Sequence, residues 1–209
     1  MSKLRISLLI IGIIIIIDQI LKIWIKTNMA LGQEYRIFNW FIIHFVENNG
    51  MAFGMELSGR YGKMYLSIFR IAVVAGIGWY LYRLTQKKET TKGLIICLSL
   101  IFAGAIGNII DSAFYGLIFS ESYMNIATFT KPGNGYASFL HGRVVDMFYF
   151  PLFSGNYPDW FPFGLGGKSF IFFRPVFNIA DSAITTGMFS LLVFHKKFYN
   201  TLEKKNNYS

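Results

Sequence analysis

Two aspartates, Asp146 in GRVVDMF and Asp181 in FNIADSAI, carry the chemistry that this sequence is best equipped to do. Two carboxyls held close together cannot easily both ionise. One keeps a proton and the other remains a base. The base can activate water, and the acid can protonate a leaving amide nitrogen. Such a pair hydrolyses a peptide bond with neither a metal nor a covalent intermediate. Other chemistries find less support. His44, His141 and His195 are scattered, and no Cys/His cluster has metal-ligand spacing. No metal and no cofactor are therefore expected. No Ser-Lys or Ser-His arrangement stands out.

Further polar residues recur at helical spacings. Asp18 and Lys22 are four apart in DQILK and can pair on one helix face. Asn108 and Asp111 are three apart in GNIID, and Asn178 and Asp181 repeat that spacing in FNIAD. In each Asn/Asp pair the amide can hydrogen-bond a carboxylate or a substrate on the same face. Gly104 and Gly107 leave room for close backbone approach. Each group also has a structural reading. Asp18 with Lys22 reads as a structural pair or interfacial anchor, and Asn108 with Asp111 can simply bridge helices. For Asp146 and Asp181 the structural reading is a helix cap plus a buried hydrogen bond. Asp181 is expected too far inside its helix for capping alone.

These residues sit among strongly apolar segments. Of 209 residues, 54% are hydrophobic and only 15% charged, with mean hydropathy +0.44. The bilayer is the expected solvent. Four runs, 4–25, 64–84, 93–119 and 176–194, are long enough to span about 30 Å of hydrocarbon. The expected fold is an all-α membrane protein, one domain over residues 1–209, with four transmembrane helices and a small extracytoplasmic β-structure. The net charge of +9 does not point to nucleic acid, because the basic residues cluster between the apolar runs. Lys3 and Arg5 precede the first run. Arg83, Lys87, Lys88 and Lys92 fill the second connection, and Lys196, Lys197, Lys204 and Lys205 follow the last. The positive-inside rule makes these regions cytoplasmic, both termini included, and puts the loops 26–63 and 120–175 outside. At about 1.5 Å per residue, Asp181 then lies only about 8 Å below the outer end of its run. Asp18 and Asp111 also fall toward outer ends, and Asp146 can join from the loop. One polar site just below the outer surface is expected. Residues 35–57 suggest strands with a turn at Asn49–Gly50. Residues 147–173 are rich in Phe, Tyr and Trp among Pro and Gly, as in a headgroup layer. Cys97, the only cysteine, is expected in apolar packing.

In these motifs the chain resembles the bacterial lipoprotein signal peptidases (signal peptidase II). DQILK at 18–22, NNGMAFG at 48–54, GNIID at 107–111, GRVVDMF at 142–148 and FNIADSAI at 177–184 occur in the family's order and cover most of the chain. The resemblance implies a four-helix aspartic protease of the bacterial inner membrane. Such an enzyme removes signal peptides from membrane-anchored prolipoprotein substrates, cutting before a cysteine that already carries diacylglycerol. It implies catalytic roles for Asp146 and Asp181. It implies supporting or substrate-binding roles for Asp18, Asn48, Gly50, Gly104, Asn108, Asp111, Asn178 and Ala180, beside the Lys22 partner of Asp18. A small outer β-structure would cradle the substrate, and globomycin-type cyclic peptides would occupy the site.

Two departures stand out. The family usually has arginine directly after the aspartate of GNxxD, where this chain has Ser112, and the segments 117–141 and 151–173 are insertions. Arg143, three residues before Asp146, can hold a substrate carbonyl, a lipid phosphate or one aspartate with its fork of donors, taking over part of the missing role. Alternatively it snorkels to the headgroups. Two other functions use the same residue types. A proton-coupled transporter or relay would spread its carboxylates over several depths and show repeats or broken helices; no repeat is found. A non-catalytic membrane scaffold leaves the paired Asn/Asp motifs without a use. The Gly-x-Gly-Asp sequence of presenilin-like proteases is absent.

Overall fold

The computed structural model describes residues 1–49 and 62–206. Its first helix, α1 (Lys3–Asn28), is inside out. Its exposed residues include Leu8, Leu9, Ile13, Ile16, Ile17, Ile20 and Trp24, and its buried ones Ser7, Asp18, Lys22 and Lys26. In water that arrangement would be untenable. Against lipid the apolar face needs no protein partner, and the costly charges turn inward to each other.

After α1 come β1 (Glu34–Phe38) and β2 (Phe41–Asn48), then α2 (Gly62–Gln86) and α3 (Lys92–Ile110). A π turn at Asp111–Tyr115 and a short α4 (Gly116–Ile118) complete the α3 rod. Strands β3 (Val144–Tyr149), β4 (Phe153–Asn156), β5 (Ser169–Phe172) and β6 (Val176–Phe177) lead into α5 (Ile179–Asn206). Among the described residues three helices are long and apolar enough to cross a membrane: Lys3–Asn28, Met64–Gln86 and Lys92–Ile118. The expected run 176–194 does not begin as helix. Val176 and Phe177 pair with Tyr149 and Phe148 of β3, so the sheet claims them and the helix starts at Ile179.

α3 is the central helix, with α1, α2 and α5 packed on it. It meets α5 with almost no gap. A Cβ at Gly104 would stand 2.2 Å from the Ala180 carbonyl oxygen, and one at Gly187 would stand 2.7 Å from the Cys97 oxygen. Cys97 itself packs with Leu81, Leu84, Leu94, Ile95 and Phe198.

The four-stranded antiparallel sheet runs β1-β2-β3-β6 over one end of this bundle. The tight turn between β1 and β2 falls at Asn39–Trp40, flanked by the paired Phe38 and Phe41, and not at Asn49–Gly50. β2 continues to Asn48 because β3, about 100 residues later, supplies its partners. Gly50 and the rest of the expected segment to residue 57 lie outside the described residues. Between Ile43 and Val46 three steps of β2 face two of β3, a bulge that re-aims the strand end. On β3 the side chains alternate. Val145 and Met147 enter a core with Ile25, Met29, Phe45, Tyr115 and Phe119, while Val144 and Asp146 face a cavity beneath the sheet. The aromatic-rich stretch after β3 forms a separate hairpin, β4–β5, whose connecting loop exposes Trp160 and Phe163.

Candidate active site

The site grows from one buried lysine. Lys22 reaches inward from α1, and its ammonium lies 2.8 Å from Asp18, 2.8 Å from Asp111 and 2.9 Å from the side-chain oxygen of Asn108. Lys22, Asp18 and Asp111 are all 0% exposed. The three donors of the ammonium match these three acceptors. Gln19 completes the group by donating to Asp111 at 2.9 Å and to Asp18 at 3.2 Å. Asp18 also accepts from the backbone N–H of Ala180 at 2.9 Å, which ties α1 to the first turn of α5. That bond passes beside Gly107, where a Cβ would come within 2.8 Å of the Asp18 carboxylate. Close approach through glycine is what lets the carboxylate reach α5.

Lys22 also orients the Asn108 amide. With its oxygen turned to the ammonium, Asn108 must point its NH2 the other way. It donates to Asp181 at 2.8 Å. Asn178 is oriented in the same fashion. Its side-chain oxygen accepts from the Asp181 backbone N–H at 2.8 Å, leaving its NH2 to donate to Asp146 at 2.7 Å. Asn48, at the end of β2, donates to the other Asp146 oxygen at 3.3 Å. Each member of the aspartate pair is thus held by amides that are themselves held.

Asp181 is nearer its helix start than the sequence suggested. Asn178 precedes α5, and Asp181 lies in its first turn. The Asp181 carboxylate accepts from the Asn178 backbone N–H at 3.3 Å, so the two residues cap reciprocally. Capping and presentation to the cavity are done by one carboxylate, with one oxygen for Asn178 and the other for Asn108.

Asp146, Asp181, Asn48 and Asn108 line one cavity of about 410 Å³. Its remaining walls are mostly aliphatic, from Val73, Val74 and Ile77 of α2 and Ile109 and Ile184 opposite. Asp146, on β3 outside the spanning helices, is only 3% exposed. Burial pushes its carboxyl up to about 7, with the charge of Asp181 as the next cause; the amide bonds from Asn48 and Asn178 pull the other way.

Asp18, Lys22, Asn48, Asn108, Asp111, Asn178 and Ala180 therefore converge with the aspartate pair, and Gly104 makes the helix contact beneath them. Arg143 does not. Its guanidinium binds Glu121 at 2.7 and 2.9 Å and Glu47 at 2.7 Å, and lies over the Tyr136 ring at 4.8 Å. It is not among the residues lining the cavity. The expected transfer of a substrate-holding role to Arg143 is corrected accordingly: two acids that sequence spacing does not reveal as neighbours occupy its donors. Glu121 is held well ionised by that guanidinium. Behind the pair, Glu47 also binds the buried ammonium of Lys26 and the hydroxyl of Ser122. This network pins the inserted loop to α1 and the sheet.

The segment leading to Arg143 also packs on Ser112. The π turn presents carbonyls that the loop takes up: Gly142 N–H donates to Ser112 at 2.8 Å and Ala137 N–H to Gly116 at 2.9 Å. A Cβ at Gly142 would stand 2.1 Å from the Asp111 carbonyl oxygen, so the loop lies directly on the turn. Ser112 is 6% exposed and folds its hydroxyl back onto the Asn108 carbonyl at 3.1 Å. Gln19, Lys26 and Glu47 belong to none of the Asp and Asn spacings; their signal in the sequence is a polar or charged residue within or beside an apolar run.

The signal peptidase (SPase) II family profile matches residues 10–196. A lipoprotein signal peptidase of Porphyromonas gingivalis is 52% identical over 190 residues, covering 91% of this chain and 82% of that protein. One of Amoebophilus asiaticus is 39% identical, covering 88% and 74%. Among solved structures, a bacterial membrane enzyme determined by the in meso method at 2.3 Å superposes with TM-score 0.61 at 25% identity. It covers 92% of this chain and 88% of that one. A second, at 1.9 Å, superposes with TM-score 0.58 at 26% identity, covering 90% and 91%.

Proposed function

The chain belongs to the signal peptidase II family of aspartic peptidases, and from that membership we propose that it cleaves signal peptides from diacylglyceryl-modified prolipoproteins with Asp146 and Asp181 as its catalytic pair. The observation that carries this reading is the paired amide arrangement, in which Asn178 holds Asp146 and Asn108 holds Asp181 in the lining of one largely aliphatic cavity. With its carboxyl pushed up to about 7, Asp146 carries the proton in roughly half of the molecules at neutral pH, and that form is the active one. Asp181 is then the base. It removes a proton from water as the water oxygen bonds to the scissile carbonyl carbon. Asp146 gives its proton to the amide nitrogen as the C–N bond breaks. The products are a signal-peptide carboxylate and a lipidated cysteine with a free amine.

A membrane-anchored substrate fits a cavity walled largely by aliphatic side chains. In this reading residues 1–209 form one protease domain in the bacterial inner membrane. α5, at 28 residues, serves as the fourth span. Both termini and the 85–92 connection face the cytoplasm, because the lysines and arginines gather there. The sheet and the aspartate pair lie near the outer face. Globomycin-type cyclic peptides would compete for the cavity. Asp18, Lys22 and Asp111 act as a buried clamp that keeps Asn108 turned, and Gly104 and Ala180 bring α3 and α5 together.

The test is purified protein with a lipid-modified prolipoprotein, following signal-peptide release. Asp146→Asn and Asp181→Asn should each cost about 10²–10⁴-fold in rate, the worth of a positioned proton-transfer group, with melting behaviour showing a folded chain. Near-normal turnover by either variant removes that residue from the mechanism.

A further inference from the structure

Arg70, on α2, lines the same cavity as Asp146 and Asp181. It is half-buried. Among the described residues it makes no hydrogen bond and no ion pair within 4.0 Å, although Asp181 is close enough to attract its charge. That is unusual for a guanidinium in a largely apolar setting. It carries five donors, no acceptor, and a charge that it cannot shed. Desolvating a cation without a partner is costly, so such groups normally find one. The two other places where an arginine was expected to serve the site are closed: Ser112 lies beneath the inserted loop, and Arg143 is bound to Glu121 and Glu47.

We propose that Arg70 is a substrate-contact residue, whose guanidinium donates hydrogen bonds to a carbonyl oxygen of the prolipoprotein chain lying in the cavity beside the scissile bond. The inference rests on the peptidase reading above. The acceptor is a neutral carbonyl for an electrostatic reason. Asp146 and Asp181 share the cavity, so a phosphate or carboxylate ligand would be repelled by them. A carbonyl satisfies the donors without adding negative charge. Val73, Val74 and Ile77 follow Arg70 down α2, one to two turns below it, and form the apolar wall on which a hydrophobic substrate segment can lie. Arg70 then reads the polar backbone at the top of that wall. The unprocessed substrate and the transition state both present this carbonyl, so the contact acts mainly on binding.

The experiment compares the unsubstituted chain with Arg70→Met, Arg70→Gln and Arg70→Lys, in phospholipid-free detergent micelles, on a diacylglyceryl-modified prolipoprotein. Arg70→Met and Arg70→Gln should lose roughly 10- to 100-fold in kcat/KM, the scale of one charge-assisted hydrogen bond. Most of the loss should appear in KM. Arg70→Lys should recover part of it. A second arm measures binding of the uncleaved prolipoprotein in an Asp146→Asn background, where adding Arg70→Met should weaken Kd by the same factor. A folded Arg70→Met that cleaves and binds like the unsubstituted chain overturns the proposal. Repeating the comparison in phospholipid vesicles separates the other source of an acceptor: a loss that appears only there makes a lipid headgroup the partner and also overturns the proposal. If the unsubstituted chain fails to cleave, the peptidase reading falls. The binding arm then decides Arg70 separately, because prolipoprotein binding that ignores Arg70 rejects it.

Discussion

Replacing Gly104 by alanine adds one methyl group at the tightest point of the α3–α5 contact. The new Cβ would stand 2.2 Å from the Ala180 carbonyl oxygen, 2.8 Å from Ile184 Cγ1 and 3.0 Å from the Ala180 carbonyl carbon. A backbone carbonyl cannot swing aside as a side-chain tip can. α5 must therefore recede by at least about 0.8 Å to reopen a 3.0 Å contact, and overpacking of this kind typically costs about 1–3 kcal/mol. The displacement falls on the residues that matter. The Ala180 N–H to Asp18 bond is now 2.9 Å and the Asn108 to Asp181 bond 2.8 Å. Lengthened by that amount, both leave hydrogen-bonding range. Asp181 then loses the amide that orients it, and misplacement on the order of 1 Å can cost about 100-fold in rate. Gly104→Ala should thus lower both the melting temperature and kcat on a lipid-modified prolipoprotein. Gly76→Ala is the matched control. It lies in the interior of α2 with nothing within 4 Å of the added Cβ. It should leave activity unchanged and gain up to about 1 kcal/mol from helix propensity. A Gly104→Ala protein as active and as stable as Gly76→Ala would refute the close-approach reasoning.

Three further outcomes are expected. Lys22→Met strands Asp18 and Asp111 in a site with no solvent. It should destabilise by about 3–5 kcal/mol, measured by thermal unfolding in detergent, and adding Asp18→Asn with Asp111→Asn should restore part of the loss. The Asp146 carboxyl sits near 7 in the folded chain against an ordinary value of about 3.9. The folded state then keeps a proton that the unfolded state has released, so this residue's stabilising contribution falls as pH rises from about 4 to about 7 and is level above that. Asp146→Asn should flatten that slope in a melting-temperature series, and kcat/KM of the unsubstituted protein should decline above about pH 7 as the acid loses its proton. Arg143→Ala should lower the melting temperature by releasing Glu121 and the loop, while kcat/KM stays near normal. Adding Ser112→Arg should destabilise further instead of rescuing, because the loop already covers Ser112.

Much of this molecule is written in local pattern. Apolar runs of about twenty residues announce helices in a bilayer, because hydrocarbon leaves the backbone no other partners. The i,i+4 spacing of Asp18 and Lys22 and the i,i+3 spacing of the two Asn/Asp pairs put each couple on one face whatever the helices do next. Those spacings fall near the same ends of their runs, which is why one polar site could be expected before any packing was known. The remainder depends on contacts between distant parts of the chain. Asp18 meets Ala180 across 162 positions, and Asn178 meets Asp146 only because β6 pairs with β3 and ends the extended chain at the helix cap. No periodicity in 176–194 distinguishes a helix that begins at Val176 from one that begins at Ile179; sheet pairing decides it, and with it the capping role of Asp181. Arginine shows the same division most plainly. The sequence displays Arg143 three residues from Asp146 and Arg70 in mid-helix, far from any motif. Tertiary structure turns the near one away, because Glu47 and Glu121 neutralise it across 96 and 22 positions. It brings the distant one to the cavity, because α2 packs its N-terminal turns beside α3 where Asn108 and Asp181 meet.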